Sequence, residues 1–258
     1  MPDIAVVVRR IVDEEDAQKG YCCIAGRINP WNSALCVCTD WIAANLGKHI
    51  EGYHLATGDG VIIGHLYYAR SQHALVPYRI EPGATVIYCE WVKQKYQGRG
   101  LGKHLFTTFL GEEKKNKSKG IVVITGDAVG NVSPQTYLDR GFAITHREET
   151  QQLLYLPVSQ ESIEIQAFEP QLNVGRKTPV EIHVIRGFMC PQEIATQLIL
   201  EDVVKEFGDQ AILKEVMLSP ESLLKYGTAS GIFINGKQKL GGGEMEEAVR
   251  QAIAEELR

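Results

Sequence analysis

Apolar residues along the chain fall into short runs whose period switches between strand-like alternation and helix-like spacing. Ile4 to Val12 alternates and predicts a first strand, and the acidic run Asp13 to Asp16 after it predicts a surface turn or helix start. Trp31 to Leu46 has helical spacing, with Leu35, Trp41, Ile42 and Leu46 as its buried face and Gly47 as its stop. Gly52 to Tyr68 holds two apolar runs around Thr57-Gly58-Asp59-Gly60, a hairpin signal, and Leu75 to Ile80 adds a further strand before Pro82-Gly83. Val86 to Val92 is a β-rich run. Leu101, Leu105, Phe106 and Phe109 then recur at helical spacing, and that helix closes in a lysine-rich end with Gly120 expected at the residue after its cap. Ile121 to Thr125 predicts a buried strand, Gly126 to Gly130 a loop and Asn131 to Leu138 a short helix. Ala143 to His146 and Gln152 to Leu156 predict a closing β pair.

From Pro157 to Pro179 the pattern breaks. Three prolines stand among scattered Gln, Glu and Asn, which predicts a connector with one weak strand. Order then resumes as strand Val180 to Ile185, a helix opened by Cys190-Pro191 and running through Phe207, strand Ala211 to Leu218 and helix Pro220 to Tyr226. A hairpin turned by Asn235-Gly236 and a last helix, Glu244 to Leu257, complete a βαβαββα order. The expected division is a first domain at 1–157, a linker at 158–179 and a second domain at 180–258.

Length and composition narrow the functional class. With 258 residues and 44% hydrophobic content the chain can bury two cores, and a net charge of −5 gives no general attraction for nucleic acid or an anionic membrane. The longest apolar runs are strands, too short to span a bilayer, and the acidic start Met1-Pro2-Asp3 lacks a secretory signal, so a cytoplasmic location is expected. The basic run Lys114 to Lys119 reads as a solvated helix end. Six cysteines include Cys22-Cys23 and Cys36-x-Cys38, neither with the spacing that favours zinc, and no metal is expected. Small thiols in a reducing compartment account for them.

Candidate chemistry sits where the Val86 to Val92 strand passes into a helix through Gln97-Gly98-Arg99-Gly100-Leu101-Gly102-Lys103. A helix start offers unpaired N–H groups and the positive end of the dipole. Without Cβ atoms, Gly98, Gly100 and Gly102 let backbone donors close around an anion, and Arg99 and Lys103 add charge; a pyrophosphate cradle is the expectation. The stretch lacks the GxxxxGK[ST] spacing of nucleotide-hydrolysing loops, and it is not a GxGxxG dinucleotide fingerprint.

Gln97 to Gly102 resembles the [RQ]-x-x-G-x-[GA] signature of the GNAT family of acetyl-CoA-dependent N-acetyltransferases. A second resemblance lies one βα length later: the family's Asn, short helix, Tyr and Gly-Phe appear as Asn131, Tyr137 and Gly141-Phe142, although Thr136 stands where the family often has an aromatic residue. The likeness covers roughly 1–157. It implies an α/β fold, a GNAT mixed sheet flanked by helices, with coenzyme A (acetyl-CoA) as cofactor. It further implies a central strand that splays from its neighbour. The end of that strand, Glu90-Trp91-Val92, would meet the pantetheine arm and the thioester, Gln97 to Lys103 would hold the pyrophosphate, and Asn131 would place the arm from the other side. Tyr137 matches the tyrosine that many members use as acid toward the coenzyme sulfur; a tyrosine packed in its helix is the alternative. Glu90 would accept the ammonium proton, directly or through water, or else is a strand carboxylate in a salt bridge or facing solvent.

The implied reaction is direct acetyl transfer to a primary amine of a small molecule or peptide, the catalytic residues being Tyr137 and Glu90. The competing class is a catalytically weak coenzyme-A-binding sensor that uses its C-terminal part for recognition. The acceptor side is expected near Trp31 to Leu46 and Leu75 to Ile80, where Trp31, Trp41 and Tyr78 either line a cleft or pack in a core. The C-terminal element order resembles a small thioredoxin-like α/β domain, and the tandem resembles the YoaP-like group. Cys190-Pro191-Gln192-Glu193 has one cysteine where redox members have two, and Thr228 to Gly231 lacks their proline, so dithiol chemistry is disfavoured. Cys190 is left as a lone thiol or an unreactive helix-start cysteine. A homo-oligomer is left open.

Overall fold

The computed structural model describes residues 5–20, 31–126, 132–148, 151–172, 175, 177–187, 189–241 and 246–258. In chain order the elements are β1 (Val6–Arg10), α1 (Glu14–Gln18), α2 (Trp31–Asn45), β2 (Glu51–Thr57), β3 (Ile62–Arg70), β4 (Tyr78–Ile80), β5 (Ala84–Val92) and α3 (Leu101–Lys115). Then follow β6 (Gly120–Thr125), α4 (Pro134–Leu138), β7 (Ala143–Arg147), β8 (Gln152–Pro157) and β9 (Ile165–Ala167). The chain ends with β10 (Val180–Arg186), α5 (Pro191–Lys205), β11 (Ala211–Met217), α6 (Pro220–Tyr226), β12 (Gly231–Ile234), β13 (Lys237–Leu240) and α7 (Glu246–Leu257). Two compact units emerge: Met1–Cys23, Ile42–Ala74 and Ile80–Ile165 make the first, and Ile24–Trp41, Leu75–Arg79 and Gln166–Arg258 the second.

The first unit is built on a seven-stranded sheet in the order β1-β2-β3-β5-β6-β8-β7. Every neighbouring pair is antiparallel except β5 and β6, which the α3 crossover makes parallel. α3 lays Leu105, Phe106 and Phe109 on the sheet against Tyr53, Leu55, Tyr68, Ile87 and Ile121. Glu113 is 1% exposed on that buried face and survives there because Arg70 Nη1 donates to both of its oxygens, at 3.0 and 2.8 Å, and Thr85 Oγ1 donates as well.

The β3–β5 ladder carries a bulge. Tyr67 lies opposite Cys89 and Tyr68 opposite Ile87, so Tyr88 has no partner on β3. The extra residue resets the alternation of β5: Ile87, Glu90 and Val92 share the α3 face, while Cys89 and Trp91 leave the sheet on the other.

Three local expectations are corrected. α2 runs Trp31–Asn45 and buries Ala34, Cys38, Ile42 and Ala43; Leu35, Trp41 and Leu46 are only half-buried, because the closest-packed stripe at i, i+4 and i+8 is Ala34, Cys38 and Ile42. Gly120 does not end α3. Lys117 takes the left-handed conformation at φ 56°, Ser118 N closes on Glu113 O, and Gly120 opens β6, where a Cβ would meet the Tyr155 ring at 2.2 Å. Asn131 does not open α4 in the described structure; Ser133 caps it, accepting from Gln135 N, and Asn131 itself lies outside the described residues.

The second unit has a four-stranded sheet ordered β11-β10-β12-β13, with β10 parallel to β11 and antiparallel to β12. Alternation along β10 separates two layers. Val180, Ile182 and Val184 face Leu200, Val203, Val249 and Ile253 of α5 and α7, whereas Ile185 packs with Tyr226 of α6 and Phe233. The βαβαββα order read from the sequence is the order observed. Gln171 and Gly175 tie the preceding segment to this unit through Lys225 O and Asn235 O.

Candidate functional site

The parallel ladder between β5 and β6 ends at Ile87 opposite Val123, yet β5 continues to Val92 on β3 and β6 continues to Thr125 on β8. The two central strands therefore part within the sheet. The space between them, about 320 Å³ counted to its open mouth, is lined by Tyr88, Cys89, Glu90, Val123, Ile124, Thr125, Val132 and Tyr137. Parting leaves one edge of β5 with backbone groups that no strand satisfies, which suits an extended ligand that can pair with them.

At the end of β5 the chain turns through a 3₁₀ segment, Gln94–Tyr96, into the glycine loop. Gln97 Nε2 donates to Val92 O at 2.7 Å, so its side chain locks the turn to the strand end. Gly98 and Gly100 both sit at φ 74°, a region that costs an L side chain about 1–2 kcal/mol, and beside each the position of a Cβ is open space. Gly100 is the N-cap of α3 and supplies no side-chain cap, which leaves the first N–H groups of the helix for another acceptor. Arg99 and Lys103 are exposed beside them, and Arg99 lies 5.9 Å from the Tyr96 ring centroid. Leu101 turns inward against the core.

On the α3 face of the cleft, Glu90 and Arg140 form a bidentate pair at 2.6 and 2.9 Å. Burial pushes the Glu90 carboxyl upward and the Arg140 guanidinium opposes it. The same guanidinium stacks 5.4 Å from the Tyr137 centroid, and Tyr137 stands edge-on to Phe142 at 5.3 Å. Tyr137 is 2% exposed; burial, with the Glu90 charge second, raises its phenol well above the usual tyrosine range. A phenol in that condition is a protonated donor at any physiological pH. Trp91 is half-buried opposite His65, Val92 is buried opposite Gly64, and Glu90, Tyr137 and the end of β5 are thus brought to one cleft.

The model of the acetyltransferase (GNAT) family matches residues 22–142. This stretch is similar to the GNAT acetyltransferases. Among solved structures the chain is similar to a GNAT-family acetyltransferase of Desulfovibrio desulfuricans (16% identity, 60% of this chain and 100% of that one, TM-score 0.46). It is also similar to Escherichia coli YhbS in complex with CoA (17% identity, 62% and 84%, TM-score 0.46) and to the PaiA N-acetyltransferase of Thermoplasma acidophilum in complex with coenzyme A (13% identity, 60% and 99%, TM-score 0.44). No curated protein sequence matches the chain.

GNAT proteins are acyltransferases that use acetyl-CoA. The first unit fits that molecule on its own geometry: two glycines open toward solvent, an uncapped helix start and a parted strand pair. Among the described residues no cluster of His, Cys, Asp or Glu is arranged for a metal ion, and no helix is long and apolar enough to cross a membrane.

Two features of the domain were invisible in its sequence. Arg140 lies fifty positions from Glu90 and is joined to it only by the fold. Cys89 and His65, 24 positions apart, meet at 3.3 Å because the bulge at Tyr88 turns the cysteine toward β3's outer face. The alternation of Val86 to Val92 alone would place Cys89 on the other side, so no local pattern could have found the pair.

Proposed function

We propose that the chain moves the acetyl group of acetyl-CoA to a primary amine of a small molecule or peptide by direct transfer within a ternary complex, in the cytoplasm. The observation that carries this reading is the early end of the β5–β6 ladder immediately upstream of the glycine loop. Acetyl-CoA, when bound, supplies an acyl group activated as a thioester. Backbone donors of Gly98 to Lys103 hold the diphosphate, aided by Arg99 and Lys103, while Gln97 keeps the turn closed on Val92. The open edge of β5 at Trp91 and Val92 binds the arm, and Asn131 contributes from the far side.

Tyr137 gives its proton to the leaving sulfur, a role supported by its buried, protonated phenol at the cleft. Glu90 takes the ammonium proton, directly or through water, with the lone pairs that Arg140 leaves unused. The second unit is a thioredoxin-like recognition domain in this reading, supported by its βαβαββα order and the β11-β10-β12-β13 sheet. The expected division at 1–157 and 180–258 goes with it.

The test is a panel of amines with Tyr137→Phe and Glu90→Gln. Each variant should lose about 10²- to 10⁴-fold in kcat with the Kd for acetyl-CoA nearly unchanged, and Glu90→Gln should flatten the acid limb of the kcat/KM profile. Coenzyme binding without acetylation of any amine would favour the sensor instead.

A further inference from the structure

Cys89 leaves the sheet one residue past the bulge, on the face opposite Glu90, and lines the cleft. Its Sγ lies 3.3 Å from His65 Nε2. His65 is fully buried, stacks on Tyr67 with 4.6 Å between centroids, and is also hydrogen-bonded to the backbone of Gly20. With Nε2 at the sulfur, a ring protonated on Nδ1 would present the Nε2 lone pair to the thiol. Burial keeps the ring neutral, its pKa drawn down to about 3, so the resting ring can accept the thiol hydrogen. A nucleophile that lines the cleft thus has a neutral base behind it, and that base has a backbone partner of its own.

We propose that Cys89 is a self-acylation site: its thiol takes the acyl group of a coenzyme thioester held in the cleft, with His65 as base. The inference rests on the acetyl-CoA reading above and goes beyond it. Cys89 Sγ attacks the acyl carbon and its proton passes to His65 Nε2. The new S–C bond forms as the carbon–sulfur bond to the coenzyme breaks, and the departing thiolate takes the proton back from His65. Cys89 thiol and acetyl-CoA become S-acetyl-Cys89 and free CoA. One thioester replaces another, so the exchange is reversible and no oxidant is involved. Among the residues lining the cleft Cys89 is the one that carries a thiol; amine transfer does not pass through it.

The full chain is incubated with acetyl-CoA and no amine, quenched in acid and weighed intact, while CoA binding is measured by calorimetry. The expected result is one added acetyl group, mapped to Cys89, removed by neutral hydroxylamine or excess CoA, and missing in Cys89→Ala. His65→Gln should slow its formation about 10²-fold. Because His65 is buried, a second measurement uses the unaltered protein: iodoacetamide alkylates Cys89 and desulfo-CoA protects it. CoA binding with no acetyl on Cys89, or with equal labelling of Cys89→Ala, overturns the inference alone. Failure of CoA to bind overturns the acetyl-CoA reading and the inference with it.

Discussion

Arg140 Nη1 lies 2.6 Å from Glu90 Oε2 and Nη2 lies 2.9 Å from Oε1, and this fork closes the α3 face of the cleft. The pair is held from above by Phe106, whose centroid is 4.5 Å from the guanidinium carbon. Removing one partner would strand a charge in a site where Glu90 is 5% exposed. Arg140→Ala should therefore destabilise the first unit by about 3–5 kcal/mol, read as a lower urea midpoint, and adding Glu90→Gln should restore part of the loss. A loss below about 1 kcal/mol would show that water reaches the pair.

Buried groups in the two units should respond oppositely to acid. Burial holds His54 near pKa 4 and His65 near 3, against 6.5 when unfolded. Below pH 6.5 the unfolded chain binds protons that the folded form refuses, so stability of the first unit falls toward pH 4, by up to about 1.4 kcal/mol per pH unit for each ring. Glu193, which accepts from Ser230 Oγ at 3.1 Å, is raised by burial to about 7 from 4.5. Between those values only the folded form holds the proton, so Glu193 contributes stability to the second unit as pH falls from 7 to 4.5, against an opposite contribution from His183, whose charged form burial disfavours. Unfolding in urea, followed by hydrogen exchange peptide by peptide at one labelling pH, separates the responses. Glu193→Gln should abolish the Glu193 contribution and leave the response of the first unit.

Gly120 has a steric reason to be glycine. A Cβ there would lie 2.2, 2.4 and 2.5 Å from atoms of the Tyr155 ring and hydroxyl. Gly120→Ala should cost about 1–3 kcal/mol of stability, and in combination with Tyr155→Ala the two costs should fail to add. Thermal and urea unfolding of the four proteins in the cycle measure the coupling.

What could be read from the sequence was what is local. The strand, glycine loop and helix from Val86 to Phe109 are specified by alternation, missing Cβ atoms and helical spacing within one stretch, and they formed as expected. The hairpin at Thr57 to Gly60 and the C-terminal βαβαββα order were legible for the same reason. Gly120 misled because glycine serves helix ends and crowded strands alike, and only Tyr155, from β8, decides which. Leu35 and Trp41 misled because large apolar residues outrank Ala34 and Cys38 in a hydrophobic pattern, while close packing favours the small ones. The Tyr88 bulge, which sends Glu90 to Arg140 and Cys89 to His65, is a property of two paired strands and has no signature in either.

The direct test of the account is the affinity for coenzyme A when a side chain is placed in the glycine loop. Gly100, the uncapped N-cap of α3 at φ 74°, faces open space, so Gly100→Val adds bulk where the diphosphate would lie. In calorimetric titration the unaltered protein should bind CoA, and Gly100→Val, still folded by circular dichroism, should bind it more than about tenfold more weakly, a loss of at least 1.4 kcal/mol. Equal affinity in the two proteins would contradict the account.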